Sequence, residues 1–182
     1  AGHSITGLTI ERPATEGAGL FGYSDGTIRN VSLSGGAIRG GHFTGALAGV
    51  NSGTIDAGRS DLQVGGAGIV GGLVGRNDGS VSRSYATGPV TAFSPVSTPV
   101  IGGGTGVGCV VDLGGGVTPV TGGAVPDGMV GAAGGLVGQN STGATLSQSF
   151  ATGAVDNTVD GNSTGGLVGR NSGTIHDFGG AR

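Results

Sequence analysis

The feature that most constrains this chain is a short glycine- and leucine-rich segment that recurs five times. The five segments are AGLFGYSDGTI (18–28), GALAGVNSGTI (45–55), GGLVGRNDGSV (71–81), GGLVGQNSTGATL (134–146) and GGLVGRNSGTI (165–175). Their leucines are 27, 26, 63 and 31 residues apart, and the fourth segment carries two additional residues in its turn. Self-similarity at a period of this length is the sequence signature of a repeat architecture.

The segments predict a parallel β-solenoid. Leu-Val precedes Asn-x-Gly, whose residues tolerate the backbone of a tight turn, and Thr-Ile or Thr-Val then resumes β character. Two units share a second half, SYATGPV (84–90) and SFATGAV (149–155). A unit of two or three short strands cannot bury its apolar side chains alone but can when stacked on copies of itself. We therefore expect an all-β fold, a β-helix of about five to six short coils.

Glycine content fits this fold better than it fits disorder. The chain has 46 glycines among 182 residues, yet 35% of its residues are hydrophobic and only 10% are charged. Disordered chains show the opposite balance. Because glycine lacks a Cβ atom, it allows a narrow coil with sharp corners and closely spaced walls. No segment has a helical apolar period, and glycine at this density opposes helix formation.

Stacking predicts columns of equivalent residues at the ~4.8 Å strand spacing. Two inward-facing columns are expected, followed by a column of asparagines whose side-chain amides bond along the stack. The first contains Leu20, Leu47, Leu73, Leu136 and Leu167, and the second Ile28, Ile55, Val81, Leu146 and Ile175. The asparagines are Asn51, Asn77, Asn140 and Asn171, and Ser24 breaks their column in the first unit.

One stretch, 92–130, departs from the period. It is rich in Val, Gly, Pro and Thr and almost free of charge. We interpret it as an insertion between coils of a single solenoid domain that spans 1–182. It could be a plain surface excursion, or a binding or capping loop, since rigid scaffolds often carry function on their loops.

The GGLVGxNxGxIxxSYATGxV unit resembles the GLUG motif, which is named for its Gly-Leu-any-Gly core. The opening GHSITGLTIERP resembles the lead-in to such arrays, and the likeness covers nearly the whole chain outside the insertion. The motif recurs in very large bacterial exoproteins, including filamentous-haemagglutinin-like and IgA-peptidase-like surface proteins. The resemblance implies a fragment of an exported bacterial surface protein, whose export signal would lie upstream, and it brings no catalytic residues.

Composition argues against several other classes of protein. All eight basic residues are arginines, and with eleven acids they give a net charge of −3 without a basic cluster. Nucleic-acid binding needs such a cluster. The single cysteine, Cys109, allows neither an intramolecular disulfide nor a cysteine-based zinc site. No apolar run approaches the ~20 residues of a membrane-spanning helix, so membrane insertion is not expected.

Local motifs do not predict an active site. Residues 66–71 fit G-x-G-x-x-G, but a dinucleotide site needs that turn to open a helix. His3, His42 and His176 are scattered, and we interpret them as surface or turn residues. Asp156 and Asp160 are more consistent with a polar turn than with a weak Ca²⁺ loop. We predict no catalytic residue, no cofactor, no metal site and no enzyme activity.

One exposed column remains a candidate ligand-binding face. It consists of Thr27, Thr54, Ser80, Thr145 and Thr174. A flat, repetitive threonine face is typical of ice-binding solenoids, although threonine also simply suits exposed β positions. The expected function is a structural or adhesive module outside the cell. Ice or carbohydrate binding and end-to-end filament assembly are the alternatives. The expected partners are a host-cell surface, a carbohydrate or another copy of the chain.

Overall fold

The computed structural model describes residues 2–93, 131–159 and 161–176. These residues form 25 short strands and no helix. Every pairing between these strands is parallel, and each of the first twenty strands pairs with the strand five places later in the chain. The fold is therefore a β-solenoid of five turns, as predicted. Each turn has five strands rather than the two or three expected from the sequence, because the corners interrupt the chain every two to four residues.

The strands are numbered in chain order, five to a turn. The first turn contains β1 (His3–Thr6), β2 (Thr9–Arg12), β3 (Gly17–Ala18), β4 (Phe21–Ser24) and β5 (Thr27–Arg29). The second contains β6 (Val31–Ser34), β7 (Ala37–Gly40), β8 (Phe43–Gly45), β9 (Ala48–Asn51) and β10 (Thr54–Asp56). The third contains β11 (Arg59–Ser60), β12 (Gln63–Gly66), β13 (Ile69–Gly71), β14 (Val74–Asn77) and β15 (Ser80–Ser82).

The last two turns complete the stack. The fourth contains β16 (Tyr85–Ala86), β17 (Val90–Ala92), β18 (Ala132–Gly134), β19 (Val137–Asn140) and β20 (Thr145–Ser147). The fifth contains β21 (Phe150–Ala151), β22 (Val155–Asn157), β23 (Ser163–Gly165), β24 (Val168–Asn171) and β25 (Thr174–His176). Each turn gives one strand to each of five sheets, numbered here 1 to 5 in the order in which the chain visits them. The predicted insertion falls within the fourth turn, and most of it lies outside the described residues.

The core is built from columns that run along the stack. The central members of the leucine column, Leu47, Leu73 and Leu136, are fully buried, while Leu20 and Leu167 in the end turns are partly buried. The second predicted column lies along sheet 5 in strict register. Sheet 2 supplies another apolar column that the repeat alignment does not reveal: Ile10, Ile38, Val64, Val90 and Val155.

The two outer glycines of GGLVG bring sheets 3 and 4 into backbone contact. A Cβ atom on Gly71 would lie 1.9 Å from the carbonyl oxygen of Val74 in the same turn. A Cβ atom on Gly75 would lie 2.7 Å from the oxygen of Gly49 and 2.7 Å from the nitrogen of Thr44. No side chain fits at these distances. The motif therefore encodes a bend between two strands that touch, with the intervening leucine filling the core.

The corner between sheets 5 and 1 uses a different device. The residue after each of the first four sheet-5 strands has a left-handed backbone, with φ from 47° to 56°, at Asn30, Ala57, Arg83 and Gln148. Non-glycine residues adopt this conformation at a cost of about 1 kcal/mol or more. The buried Ser84 hydroxyl stabilises the corner, because its Oγ accepts from Gly58 N at 3.0 Å and donates to Ser82 O at 2.7 Å.

Candidate functional site

The predicted threonine column exists as a row on the outer surface of sheet 5. The register places Thr27, Thr54, Ser80, Thr145 and Thr174 opposite one another in successive turns. The three central residues are half-buried and the two end residues are exposed. Thr145 Oγ1 lies 3.1 Å from Ser80 Oγ, so these hydroxyls bond to each other within the row. The row is therefore regular, but it is one residue wide.

A second outward row on sheet 5 runs beside the threonines and is chemically mixed. Its members are Arg29, Asp56, Ser82, Ser147 and His176. Arg83 Nε donates to Asp56 Oδ1 at 2.9 Å, and Ser82 Oγ donates to the same oxygen at 2.9 Å. Charged and hydroxyl side chains thus stand together beside the threonines. This face lacks the second threonine row that would make it flat and uniform.

The Arg83 hydrogen bond is the main cause that lowers the pKa of Asp56. Burial opposes that shift, whereas the Ser82 hydrogen bond and the charges of Arg83 and Arg29 add to it. Since the folded-state pKa is below the unfolded value, the stabilisation is complete above the ordinary aspartate pKa and is lost as pH falls through the folded one.

We therefore expect the free energy of unfolding to fall more steeply on acidification in the wild type than in Asp56→Asn. Urea denaturation followed by circular dichroism between about pH 5 and pH 2 measures this difference. The difference between the two proteins should be modest and should decrease with added salt, because the Arg83 side chain is 62% exposed. Equal acid dependence of the two proteins would contradict this role of Asp56.

The asparagine column forms a continuous, directional ladder of side-chain amides. Asn51 Nδ2 donates to Asn77 Oδ1 at 2.8 Å, and Asn77 Nδ2 donates to Asn140 Oδ1 at 2.9 Å. Asn140 Nδ2 then donates to Asn171 Oδ1 at 2.8 Å. The first three asparagines are fully buried, and Asn171 in the last turn is exposed. Asn51 and Asn77 also donate to backbone carbonyls of their own turn and of the next, so the ladder fixes both the turn and the register between turns.

The ladder lacks a donor at its first rung. The buried Asn51 Oδ1 has no hydrogen-bond partner in the described part of the chain, and the residue opposite it in the first turn is Ser24. An unsatisfied buried acceptor costs about 1–3 kcal/mol. The sequence indicates that Ser24 breaks the column, and the structure shows which atom that break leaves unpaired.

Ser24→Asn should extend the ladder, because the new amide nitrogen can reach Asn51 Oδ1 with the geometry repeated in the later turns. We expect the free energy of unfolding to rise by about 1 kcal/mol in urea denaturation. Ser52→Asn is the matched control, since Ser52 is exposed and lies beside the ladder rather than in it. If both variants are as stable as the wild type, an amide side chain at position 24 does not relieve the free-energy cost of the unpaired Asn51 oxygen.

The other residues considered from the sequence do not come together. His3 lies on β1, His42 contacts the Phe43 ring edge-on at a centroid distance of 4.3 Å, and His176 ends β25. Asp156 is exposed on β22, whereas Asp160 and Cys109 lie outside the described residues. Within the described ranges, no group of three or more His, Cys, Asp or Glu side chains could hold a metal ion. The same ranges contain no helix of the length and apolarity needed to cross a membrane.

Comparison with known families explains the repeat. The family model of the GLUG motif matches residues 66–91. Residues 66–91 are a GLUG motif. This segment begins at the end of β12 and ends within β17, so it leaves sheet 2 and returns to sheet 2 one turn later. The GLUG motif is therefore one complete turn of the solenoid, and the resemblance predicted from the sequence is confirmed there.

The chain is also similar to Halomucin of Haloquadratum walsbyi (strain DSM 16790 / HBSQ001). The two are 37% identical over 79 residues, which is 42% of this chain and 1% of Halomucin. The chain thus spans a very small part of this curated relative, which is a very large protein. No solved structure matches the chain. The GLUG match at residues 66–91 and the β-solenoid fold fit a structural, non-enzymatic repeat module.

Proposed function

We propose that this chain is a structural spacer module of a large exported surface protein. The observation that carries the proposal is the register: all five strands of each turn pair with the next turn, and each added turn repeats the same core columns. At the ~4.8 Å spacing of strands, five turns span about 24 Å along the stack. Repetition of this kind lengthens a stalk in fixed increments. The partial likeness to Halomucin supports a setting in a very large protein at the cell surface.

Surface labelling tests the location. Antibodies raised against the folded module should label intact, unpermeabilised cells of the source organism. Labelling that appears only after lysis would overturn the proposal.

An adhesive role is a more specific form of this proposal. It is tested with beads that carry either the wild-type chain or an unfolded variant of equal charge. Retention of the folded form alone on host cells or carbohydrate-coated surfaces would support adhesion.

Self-association is a second candidate, favoured by the ends of the stack. Among the described residues, each sheet ends in edges without a further strand, at β1–β5 on one side and β21–β25 on the other. Apolar side chains are only partly buried there, including Leu20 at the first end and Leu167 at the second. An open edge of this kind is a template for another strand. Light scattering should show head-to-tail oligomers that grow with concentration, and strict monomers would contradict this candidate.

Ice binding is a third candidate, and it rests on the regular threonine row. Thermal hysteresis of the purified chain, compared with Thr54→Tyr, tests it directly. The mixed row beside the threonines predicts only weak thermal hysteresis, because its charged side chains interrupt the flat surface of hydroxyl and methyl groups. Absence of hysteresis would remove this candidate without affecting the spacer role.

A further inference from the structure

The outward row of sheet 1 changes character along the stack. Its five members, one per turn, are Ser4, Ser32, Arg59, Tyr85 and Phe150. The Tyr85 and Phe150 rings are stacked, with centroids 4.9 Å apart and planes 9° apart. The Arg59 guanidinium carbon lies 5.4 Å from the Tyr85 ring centroid. Three turns thus carry a continuous stack of planar groups, and the first two turns carry only serines.

A depression lies where the row is reduced to serine. It has a volume of about 320 Å³ and is open to solvent on one side. Its polar lining groups come from three turns and are His3, Ser4, Asn30, Ser32 and Arg59. Two successive turns without a large outward side chain on sheet 1 leave an open length of about 10 Å along the stack. This volume lies at the lower end of the range for small-molecule sites, which suits a single sugar residue.

The charge at the end of this depression is positive. The ion pairs found among the described residues involve Arg39, Arg76 and Arg83, and Arg59 takes part in none of them. Contact with Tyr85 positions the guanidinium at one wall. A guanidinium offers paired N–H donors whose geometry matches a carboxylate. Hydroxyl, imidazole and amide groups on the remaining walls match the hydroxyl groups of a sugar.

We propose that this depression is a binding site for a uronic acid residue of an acidic polysaccharide. Arg59 binds the sugar carboxylate, and Ser4, Ser32 and Asn30 hydrogen-bond the ring hydroxyls. Because the depression opens outward, the sugar can belong to a longer chain. This site lies on sheet 1 and at the corner where sheet 5 leads into it, beside Asn30 and Ala57. Its lining does not include the threonine row, and it is independent of the spacer role.

Calorimetric titration of the whole chain with trigalacturonate at low salt tests the site, with maltotriose as the neutral ligand. We expect saturable binding of trigalacturonate, no binding of maltotriose and a marked loss of affinity with added salt. Tyrosine fluorescence gives a second readout, since the chain has no Trp and only two Tyr. In a Tyr23→Phe background, Tyr85 alone reports on the ligand beside Arg59.

Arg59→Gln should weaken trigalacturonate binding at least tenfold. Arg39→Gln should leave it unchanged, because Arg39 lies on sheet 2, 4.8 Å from the Phe93 ring centroid and 3.9 Å from Glu11. Ser32→Tyr should abolish trigalacturonate binding while the protein stays folded, since the introduced ring fills the part of the depression beside Arg59. Equal binding of both ligands, undiminished binding by folded Ser32→Tyr, or no binding at millimolar trigalacturonate would overturn the proposal. Spacer function would survive each of these results.

Discussion

Gly75→Ala should lower the free energy of unfolding by about 3 kcal/mol or more, a large share of the stability of a domain this size. The new Cβ atom would lie 2.7 Å from both Gly49 O and Thr44 N. Both are backbone atoms held by the pairing of neighbouring turns, so neither can move without opening a sheet. Urea denaturation followed by circular dichroism measures the loss.

Two further alanine variants make this test specific. Gly22 occupies the same motif position in the first turn, where Gly17 is the only described residue that a Cβ atom would meet, at 3.2 Å from its oxygen. Gly22→Ala should therefore lower the free energy of unfolding clearly less than Gly75→Ala does. Gly26 is exposed and has open space around its Cβ position, so Gly26→Ala should be neutral or stabilise by up to about 1 kcal/mol. Equal losses in all three variants would show that backbone flexibility, rather than the contact of sheets 3 and 4, is what the motif glycines provide.

Asn77→Asp should lower the free energy of unfolding by about 3–5 kcal/mol at neutral pH. The Asn77 amide nitrogen donates to Asn140 Oδ1, to Gly79 O and to Thr145 O, and the side chain is fully buried. A carboxylate would place a negative oxygen against these three acceptors. The ionised form is therefore disfavoured in the folded state, which raises the pKa of the introduced acid.

The pH dependence of this variant follows from that raised pKa. Below the unfolded-state pKa the acid is protonated in both states and can donate one of the lost hydrogen bonds, so much of the stability returns. As pH rises above that value, stability is lost at up to about 1.36 kcal/mol per pH unit until the folded state ionises as well. Urea denaturation of the variant and the wild type at about pH 3, about pH 5 and about pH 7 should show a widening gap in the free energy of unfolding.

Asn171→Asp is the matched control for the ladder. Asn171 occupies the same column in the last turn, but it is exposed and its Oδ1 accepts from Asn140. A carboxylate can accept that bond as well as an amide does, so the change in stability should be within about 0.5 kcal/mol. Similar losses for Asn77→Asp and Asn171→Asp would indicate that the buried ladder is not the source of the effect.

The number and position of the corners could not be predicted from the sequence. Strands of two to four residues are too short to show an alternating pattern, so each unit reads as two or three strands. The corner between sheets 5 and 1 uses Ala57, Arg83 and Gln148 in a left-handed conformation, and these residues do not signal a turn. The serine of the SYATG and SFATG segments was the available signal, because Ser84 and Ser149 are the buried corner residues.

The opening residues and the sheet-1 site show a second limit. The segment interpreted as a lead-in forms β1 and β2, which pair with the second turn and complete the first. Alignment of the two SxATG segments already matches Tyr85 with Phe150. It does not place Arg59 beside them or the serines beyond them, because the sheet-1 strands of the first three turns share no common sequence.

Repetition by itself determined the stacking, the apolar columns that contain the leucines and the sheet-5 residues, and the asparagine column, since equivalent positions in similar units lie over one another whenever the units stack. Tertiary structure alone decided how many corners each turn has, which atom of the asparagine ladder is left unpaired and which unlike side chains meet on an outer face. Those outcomes depend on backbone contacts between neighbouring turns, and such contacts join residues whose identities follow no common pattern along the chain.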